Sequence, residues 1–346
     1  MKKQKYVLNL LLILTLTIGA LWFALKDNYK QVLSCISKMN IVSLIVILAW
    51  GALFTAVWGF VYFVLGKKYT KHYGPGKGMI VAFVGAFFSG ITPSSTGGQF
   101  AQAYIMKKQG IKVSDGASLL WADFIIYQTT MMVYVTILFL LRFGYYSAQS
   151  AWFNVILIGY VINAIVIIAL YTIALFPNVY VKLSSALVGM LGKLHILKDP
   201  EKTLDSWTLS MQSFTGEIKN LSRDKKSIVI CVCINFIRLS LYYSLPFVIG
   251  LALHIPLRWN EFIDVMALSS FVTMANSFIP IPGASGGTEV IFALLFGSLM
   301  KDLTGAVLVL WRFSTYHFVL IIGGILFALV KNYYEKKNNR ICLEEE

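Results

Sequence analysis

The sequence predicts an all-α polytopic membrane protein with six full crossings and two re-entrant broken-helix hairpins in an inverted repeat. Its composition, its long apolar runs and two matching interruptions in those runs support this fold class. Of the 346 residues, 58% are apolar and 13% are charged, and the mean hydropathy is +0.71. Soluble domains are less apolar and carry more charge. We therefore expect residues 1–346 to form a single transmembrane domain.

Six apolar runs are long enough to cross a bilayer, which takes about 20 mostly apolar residues. They are residues 7–25, 41–65, 116–141, 152–176, 228–251 and 303–330. The first run follows Lys2, Lys3 and Lys5, as the apolar part of a signal peptide would. No small-residue cleavage site follows it before Lys26, so we expect this run to be retained as a span.

Two further apolar regions, residues 79–106 and 262–300, are each interrupted by a Pro-x-x-Ser/Thr-Gly-Gly motif. The flanking apolar pieces are too short to cross twice, so each region is predicted to be a re-entrant hairpin. The first motif comprises Pro93, Ser94, Ser95, Thr96, Gly97 and Gly98, and the second comprises Pro282, Gly283, Ala284, Ser285, Gly286 and Gly287.

The spacing between the two motifs extends further along the chain. It aligns Asp123 with Arg312 and Tyr127 with Tyr316, each pair on the long helix after its hairpin. The first hairpin would enter the membrane from the cytoplasm and the second from outside, an inverted repeat of the kind many transporters use. The alternative is that two helix breaks coincide by chance.

Positive charge indicates the orientation. The chain has 30 Lys and Arg residues against 16 Asp and Glu residues, for a net charge of +14. In a membrane protein this excess of positive charge indicates the orientation in the membrane and contact with anionic lipid rather than binding of nucleic acid. We expect a multi-pass protein of the bacterial cytoplasmic membrane with both termini inside and no nucleic acid bound by this chain alone. The cations then left in the outer loops are Lys26, Lys30, Lys38, Arg142, Arg258 and Lys301.

The two motifs are the predicted substrate site. A helix broken within the bilayer leaves backbone groups that protein, water or ligand must satisfy. The motifs offer hydroxyl groups and glycines, and the helix starts at Gln99 and Glu289 present amides suited to an anionic headgroup. Gln102 and Gln128 add hydrogen-bonding side chains. We find no nucleotide-binding loop, catalytic set or metal-ligand spacing, so no catalytic residue, cofactor or metal is predicted.

Charged groups inside spans are costly and mark function by default. Arg312 is predicted to bind the phosphate of a lipid. Glu289 or Asp123 is predicted to bind the ammonium of an aminoacyl group, if the lipid carries one. Alternatively, Asp123 and Arg312 pair with each other and hold the two halves together. We expect Arg238 to snorkel to the membrane surface or to have a structural partner, and His317 to be a core histidine whose hydrogen bonds are satisfied.

Residues 177–227 are predicted to form a cytoplasmic insert, and residues 331–346 a charged cytoplasmic tail. The insert contains two amphipathic helices, which either pair with each other or lie on anionic lipid. The longer stripe consists of Leu204, Trp207, Met211, Phe214, Ile218 and Leu221.

The two motifs, together with Thr288, Glu289 and the downstream Trp311-Arg312-Phe313, resemble the transmembrane flippase region of the lysylphosphatidylglycerol synthase family. The similarity spans roughly residues 7–330. Full-length members also carry a cytoplasmic domain that transfers lysine from lysyl-tRNA to phosphatidylglycerol, and this sequence contains no such domain. Many relatives carry an acidic and a basic residue at the positions of Gln99 and Gln102. The lipid headgroup bound by this chain can therefore differ from the one that those relatives bind.

The resemblance implies a lipid translocase that moves phosphatidylglycerol-type or aminoacylated phospholipid between leaflets. One alternative is an enzyme, a phosphatidylglycerol lysyltransferase, or the membrane subunit of one with a separate lysyltransferase partner. Another is a polyprenyl-phosphate lipid transporter or a lipid-binding scaffold. The expected partners are an anionic or aminoacylated phospholipid and the bilayer itself, and the pattern predicts no oligomeric state.

Overall fold

The computed structural model describes residues 39–92, 95–144, 150–176, 222–276 and 287–344, together with a few single positions that include Ala284. Most of these residues are helical, and no strand occurs among them. The predicted first span, most of the predicted insert and part of both motifs lie outside the described residues. The motif residues concerned are Pro93, Ser94, Pro282, Gly283, Ser285 and Gly286.

The described helices follow one another closely along the chain. They are α1 (Ile41–Gly66), α2 (Pro75–Ile91), α3 (Thr96–Lys108), α4 (Val113–Leu141), α5 (Ser150–Leu175), α6 (Lys225–Ala252), α7 (Glu261–Asn276), α8 (Gly287–Met300), α9 (Thr304–Arg312) and α10 (Phe318–Glu344). A 3-10 turn, Lys301–Leu303, connects α8 to α9, and a π-helical segment, Phe313–His317, connects α9 to α10.

Several helices have the length and apolar character of membrane spans. Among the described residues these are α1, α4, α6 and the stretch Gly287–Tyr334, with mean hydropathies of 2.3, 1.9, 1.9 and 2.0. Helix α5 contributes a shorter apolar stretch, Ile156–Thr172. The positions of α1, α4 and α6 match three of the runs expected from the sequence. The chain is therefore an all-helical, multi-pass membrane protein.

The stretch Gly287–Tyr334 is a helical hairpin rather than one long rod. Lys301 has a left-handed backbone with φ of 49°, which ends α8. The Phe292 and Trp311 rings stack with centroids 5.3 Å apart. Glu289 and Arg312 approach within 3.3 Å, whereas a straight helix rising 1.5 Å per residue would hold them about 34 Å apart. Helices α8 and α9 are therefore antiparallel neighbours.

Both interrupted regions form pairs of short, packed helices. Helices α2 and α3 have 17 and 13 residues, and α7 and α8 have 16 and 14. Each is shorter than the roughly 20 residues of a full crossing. In both pairs the two helices pack against each other.

The two breaks share an unusual backbone conformation. Ser95 has φ of 57° and Ala284 has φ of 52°, and these residues occupy equivalent positions in the two motifs. The left-handed region costs a non-glycine residue about 1–2 kcal/mol, so surrounding structure must impose it. The sequence repeat is thus accompanied by a matching local geometry.

The buried apolar residues form two clusters. One surrounds the first hairpin and joins α1, α2, α3 and the start of α4. The other surrounds the second hairpin and joins α6, α7, α8 and α9 with part of α4. Helices α4 and α6, which carry Asp123 and Arg238, contribute residues to both clusters.

Candidate functional site

An ion pair joins the start of α8 to the end of α9. Arg312 Nε lies 3.3 Å from Glu289 Oε1, and the two side chains are 12% and 30% exposed. Glu289 is in the first turn of α8, where the helix dipole favours a carboxylate. The antiparallel return of α9 brings Arg312 to that turn. The pair is thus largely shielded from solvent, and the carboxylate of Glu289 is more accessible than the guanidinium of Arg312.

Arg312 also contacts a residue bound to the first hairpin. Its guanidinium carbon lies 5.1 Å from the centroid of the Tyr316 ring. The Tyr316 hydroxyl donates a hydrogen bond of 2.8 Å to the carbonyl of Gly90, near the end of α2. Arg312 is therefore paired with Glu289, just after the second break, and packed on Tyr316, whose hydroxyl is bonded just before the first break.

The π-helical segment that follows Arg312 is fixed against α1. The Ser314 hydroxyl donates to the carbonyl of Ile47. A Cβ at Gly51 would lie 2.7 Å from the carbonyl carbon of Ser314, so only glycine permits this approach. π-Helical turns within α-helices often occur at functional sites. Here the segment sets the direction in which Arg312 and Tyr316 project.

A second polar cluster surrounds Asp123 of α4. Asp123 Oδ2 accepts hydrogen bonds from Trp58 Nε1 and from the Tyr62 hydroxyl, both at 2.9 Å. Tyr62 in turn accepts a hydrogen bond of 2.8 Å from Gln102 Nε2. Asp123 is 5% exposed and Gln102 is 3% exposed. This chain of hydrogen bonds connects α4 through α1 to α3 of the first hairpin.

Arg238 of α6 lies in an aromatic cage beside Asp123. Its guanidinium carbon is 4.4 Å from the ring centroid of Trp58, 4.6 Å from that of Tyr127 and 4.9 Å from that of Phe54. Arg238 is 7% exposed and interacts electrostatically with Asp123. Of the two alternatives expected for this residue, the structure shows structural partners rather than snorkelling, because aromatic faces from α1 and α4 stabilise its charge inside the protein.

The polar cluster around Asp123 and Arg238 is linked to the Glu289–Arg312 ion pair by aromatic contacts. The Phe54 ring, which faces Arg238, lies 4.7 Å from the Tyr242 ring. The Tyr242 ring lies 5.4 Å from Trp311, which precedes Arg312 in α9. A continuous packed path thus runs from the Arg238 cage to the ion pair.

The alternative pairing of Asp123 with Arg312 is wrong. Arg312 pairs with Glu289, and Asp123 lies among Trp58, Tyr62 and Arg238. The reason is local, since α8 folds back beside α9 and supplies a closer carboxylate. His317 is buried, as expected of a core histidine, and its ring packs against Phe313 and Tyr316. The expectation that its hydrogen bonds are satisfied is wrong, because neither ring nitrogen has a hydrogen-bond partner among the described residues.

The remaining site residues expected from the sequence are dispersed. Ser95, Thr96 and Gln99 are exposed around the start of α3, and Gly287 begins α8. The Gly97 amide donates to the Thr92 hydroxyl at 2.9 Å, and Gly98 is buried against Ser89. Gln128 Nε2 donates to Asn163 of α5 at 3.4 Å. Gln128 therefore belongs to the α4–α5 interface.

Sequence reasoning missed the roles of Trp58, Tyr62 and Gly90. Two other aromatic residues, Tyr127 and Tyr316, did have a signal in the sequence, because the repeat aligns them with each other. In the structure each of them packs against an arginine.

Among the described residues, no group of three or more His, Cys, Asp or Glu side chains could hold a metal ion.

Comparison with known proteins identifies relatives over most of the chain. Residues 7–323 match the family described as the lysylphosphatidylglycerol synthase TM region. A UPF0104 membrane protein from Archaeoglobus fulgidus is 25% identical over 263 residues, which cover 74% of this chain and 77% of that protein.

Proposed function

This chain belongs to the lysylphosphatidylglycerol synthase transmembrane family, and we propose that it is a lipid translocase. It moves phosphatidylglycerol-type or aminoacylated phospholipids between the leaflets of the bacterial cytoplasmic membrane. The headgroup binds at the Glu289–Arg312 pair, between the two broken hairpins.

One observation carries this proposal: Arg312 contacts the second hairpin directly and is linked to the first through Tyr316. It pairs with Glu289 at the start of α8 and packs on Tyr316, whose hydroxyl is bonded to Gly90 at the end of α2. A ligand that engages Arg312 thus acts on both helix breaks together. Substrate sites of transporters built from repeats lie at the interface between discontinuous helices.

The ion pair favours a headgroup that carries both signs of charge. A phosphate can replace the carboxylate as the partner of Arg312, and an ammonium can replace the guanidinium as the partner of Glu289. Removing one partner of a shielded ion pair without replacement is strongly unfavourable. A phospholipid with both a phosphate and an ammonium group, such as an aminoacylated one, replaces both partners, whereas phosphatidylglycerol replaces one. The site therefore favours the lipid that carries both charged groups.

The two hairpins supply the alternating access. We take them as re-entrant hairpins that enter from opposite sides, with six full crossings and both termini in the cytoplasm. The short helices and the shared left-handed conformation of Ser95 and Ala284 support this arrangement. Rocking of one hairpin against the other would expose the Arg312 side chain to each leaflet in turn.

Reconstitution into vesicles tests the proposal. Phospholipid with a fluorescent acyl chain, carrying either a lysyl-phosphatidylglycerol or a phosphatidylglycerol headgroup, is quenched from outside, and the rate of exchange is measured. We expect the protein to accelerate exchange, and Arg312→Gln to slow it by about tenfold or more, the equivalent of about 1.4 kcal/mol.

Arg142→Gln is the matched control. It removes another arginine–carboxylate pair, with Asp264 at 3.1 Å, that lies away from both breaks. Exchange no faster than in protein-free vesicles, or equal rates for wild type and Arg312→Gln, would contradict the proposal.

A further inference from the structure

Asp123 is a buried carboxylate that headgroup binding at Arg312 leaves unused. It lies within the first half of α4, a helix of 29 residues that is long and apolar enough to span the membrane, and it is 5% exposed. An ionised group at such a position is expensive, and it persists in proteins where it has a function.

The two carboxylate oxygens of Asp123 have different environments. Oδ2 accepts from Trp58 and Tyr62, whereas Oδ1 is buried and has no hydrogen-bond partner among the described residues. A buried carboxylate oxygen without a donor is costly when ionised, and protonation relieves that cost. Oδ1 is therefore the atom on which a proton would reside.

The charged neighbour of Asp123 does not lock it in the ionised form. Within the described residues, no ion pair within 4.0 Å joins Asp123 to Arg238. Arg238 instead lies against three aromatic faces, and its Nη1 donates to Asn235 at 3.4 Å. Its charge is thus stabilised by ring faces as well as by the carboxylate.

The other titratable groups around Asp123 are neutral. Tyr62 of α1, Tyr127 of α4 and Cys231 of α6 interact with it electrostatically, and α3 contributes only the amide of Gln102, through Tyr62. Arg238 is therefore the one charged group facing Asp123 from the described helices around it.

Two connections lead from Asp123 to the proposed transport machinery. Tyr62 joins it to Gln102, within the first two turns of α3 after the first break. Arg238 joins it through Phe54 and Tyr242 to Trp311, next to Arg312. A change of charge on Asp123 therefore alters contacts made by both hairpin regions.

From this arrangement we propose that Asp123 is a proton-binding site that couples lipid translocation to the transmembrane proton gradient. The claim rests on the proposed translocase function. Asp123 Oδ1 takes a proton from water reached from one side of the membrane, forming an O–H bond, and returns it to water on the other side by breaking that bond. No other bond changes. The neutral acid loosens its hold on the Tyr62 hydroxyl and leaves the Arg238 charge to the ring faces.

The first test measures leaflet exchange in vesicles with equal or different pH on the two sides. For one proton moved per lipid, a difference of one pH unit shifts the steady-state leaflet ratio by at most about tenfold. We expect a shift of several-fold for wild type and none for Asp123→Asn, which mimics the protonated acid. Asp115→Asn, in the first turn of the same helix, is the control and should respond as wild type does.

A second variant separates proton binding from coupling. Tyr62→Phe keeps the carboxylate but removes the hydroxyl that joins it to Gln102. We expect it to retain proton binding and to lose most of the response to the pH difference. An unchanged response would contradict the hydrogen-bonded route through Tyr62.

Infrared difference spectroscopy of the purified protein tests proton binding without any lipid transport. A change of pH should produce a protonated-carboxyl band that is absent from Asp123→Asn and present in Asp115→Asn. A wild-type spectrum without an Asp123 band would overturn the proton site, whatever the exchange assays show.

The outcomes for the two proposals are distinct. Lipid exchange that ignores the pH difference would overturn the coupling and leave the translocase function standing. An absence of lipid exchange in wild type would overturn the translocase function and the coupling with it, even if the infrared band is observed.

Discussion

The Tyr316 hydroxyl donates a 2.8 Å hydrogen bond to the carbonyl of Gly90, and so joins the π-helical segment between α9 and α10 to α2, the helix before the first break. The same ring carries the Arg312 guanidinium at 5.1 Å. The carbonyl of Gly90 lies in the last turn of α2, where helix carbonyls lack intrahelical partners. The tyrosine hydroxyl thus supplies a hydrogen-bond donor to a carbonyl at the end of α2. The same hydrogen bond positions the ring on which Arg312 packs.

Removing this hydroxyl tests its contribution. Tyr316→Phe keeps the ring beneath Arg312 but leaves the Gly90 carbonyl without this donor. We expect a loss of about 1 kcal/mol in unfolding free energy, typical of one hydrogen bond, and slower lipid exchange. Thermal unfolding in detergent and the vesicle assay provide the readouts. Tyr333→Phe, at a side chain that is 64% exposed, is the control, and equal behaviour of the two variants would contradict this role.

The close contact of α1 with the π-helical segment leads to a second prediction. Gly51→Ala places a Cβ against backbone atoms of Ser314, which cannot move as the end of a flexible side chain can. We expect destabilisation of about 1–3 kcal/mol from overpacking and displacement of Arg312.

Gly76→Ala is the matched control for this prediction, because a Cβ there meets nothing within 4 Å. It should leave stability unchanged or raise it by up to about 1 kcal/mol, since alanine loses less entropy in a helix. Thermal unfolding measures both variants. Destabilisation by Gly76→Ala as large as that by Gly51→Ala would argue against the steric explanation.

An ion pair outside the spans gives a prediction for pH. Lys68 Nζ lies 2.6 Å from Asp224 Oδ2, and Asp224 also caps α6 by accepting from the Ser227 amide at 3.0 Å. The hydrogen bond from Lys68 holds the pKa of Asp224 well below its usual range, and those from Ser227 lower it further. The stabilisation is therefore complete above the unfolded pKa of about 4 and is lost as the pH falls toward the folded value.

Melting temperatures measured in detergent from pH 6 to pH 2.5 check this prediction. Wild type should lose stability below about pH 4 more steeply than Asp224→Asn, which lacks the titrating group. The difference should be small because the pair is partly exposed. Parallel curves for the two proteins would contradict the assignment.

The sequence was sufficient to locate the helix breaks and to align the two motifs. Proline and glycine interrupt an apolar run visibly, and a repeated spacing can be read without knowing where the helices lie. The structure adds that the aligned residues Ser95 and Ala284 share a left-handed backbone.

The pairing of charges could not be predicted in this way. Glu289 and Arg312 meet because α8 folds back on α9 at Lys301, and nothing in the linear pattern specifies that return. The burial of Arg238 depends on rings from α1 and α4 that are remote in sequence. The π-helical segment contacts α1 through Ser314, and it has no signature in the residue pattern.

The central claim is that the Glu289–Arg312 pair binds the lipid headgroup through both charges. Mass spectrometry of lipids that remain bound to the purified protein tests it most directly. For wild type we expect enrichment of phospholipids that carry both a phosphate and an ammonium group. Glu289→Gln should shift the bound lipid toward phosphatidylglycerol, and Arg312→Gln should lose bound lipid of both kinds. The same lipid complement in all three proteins would contradict the claim.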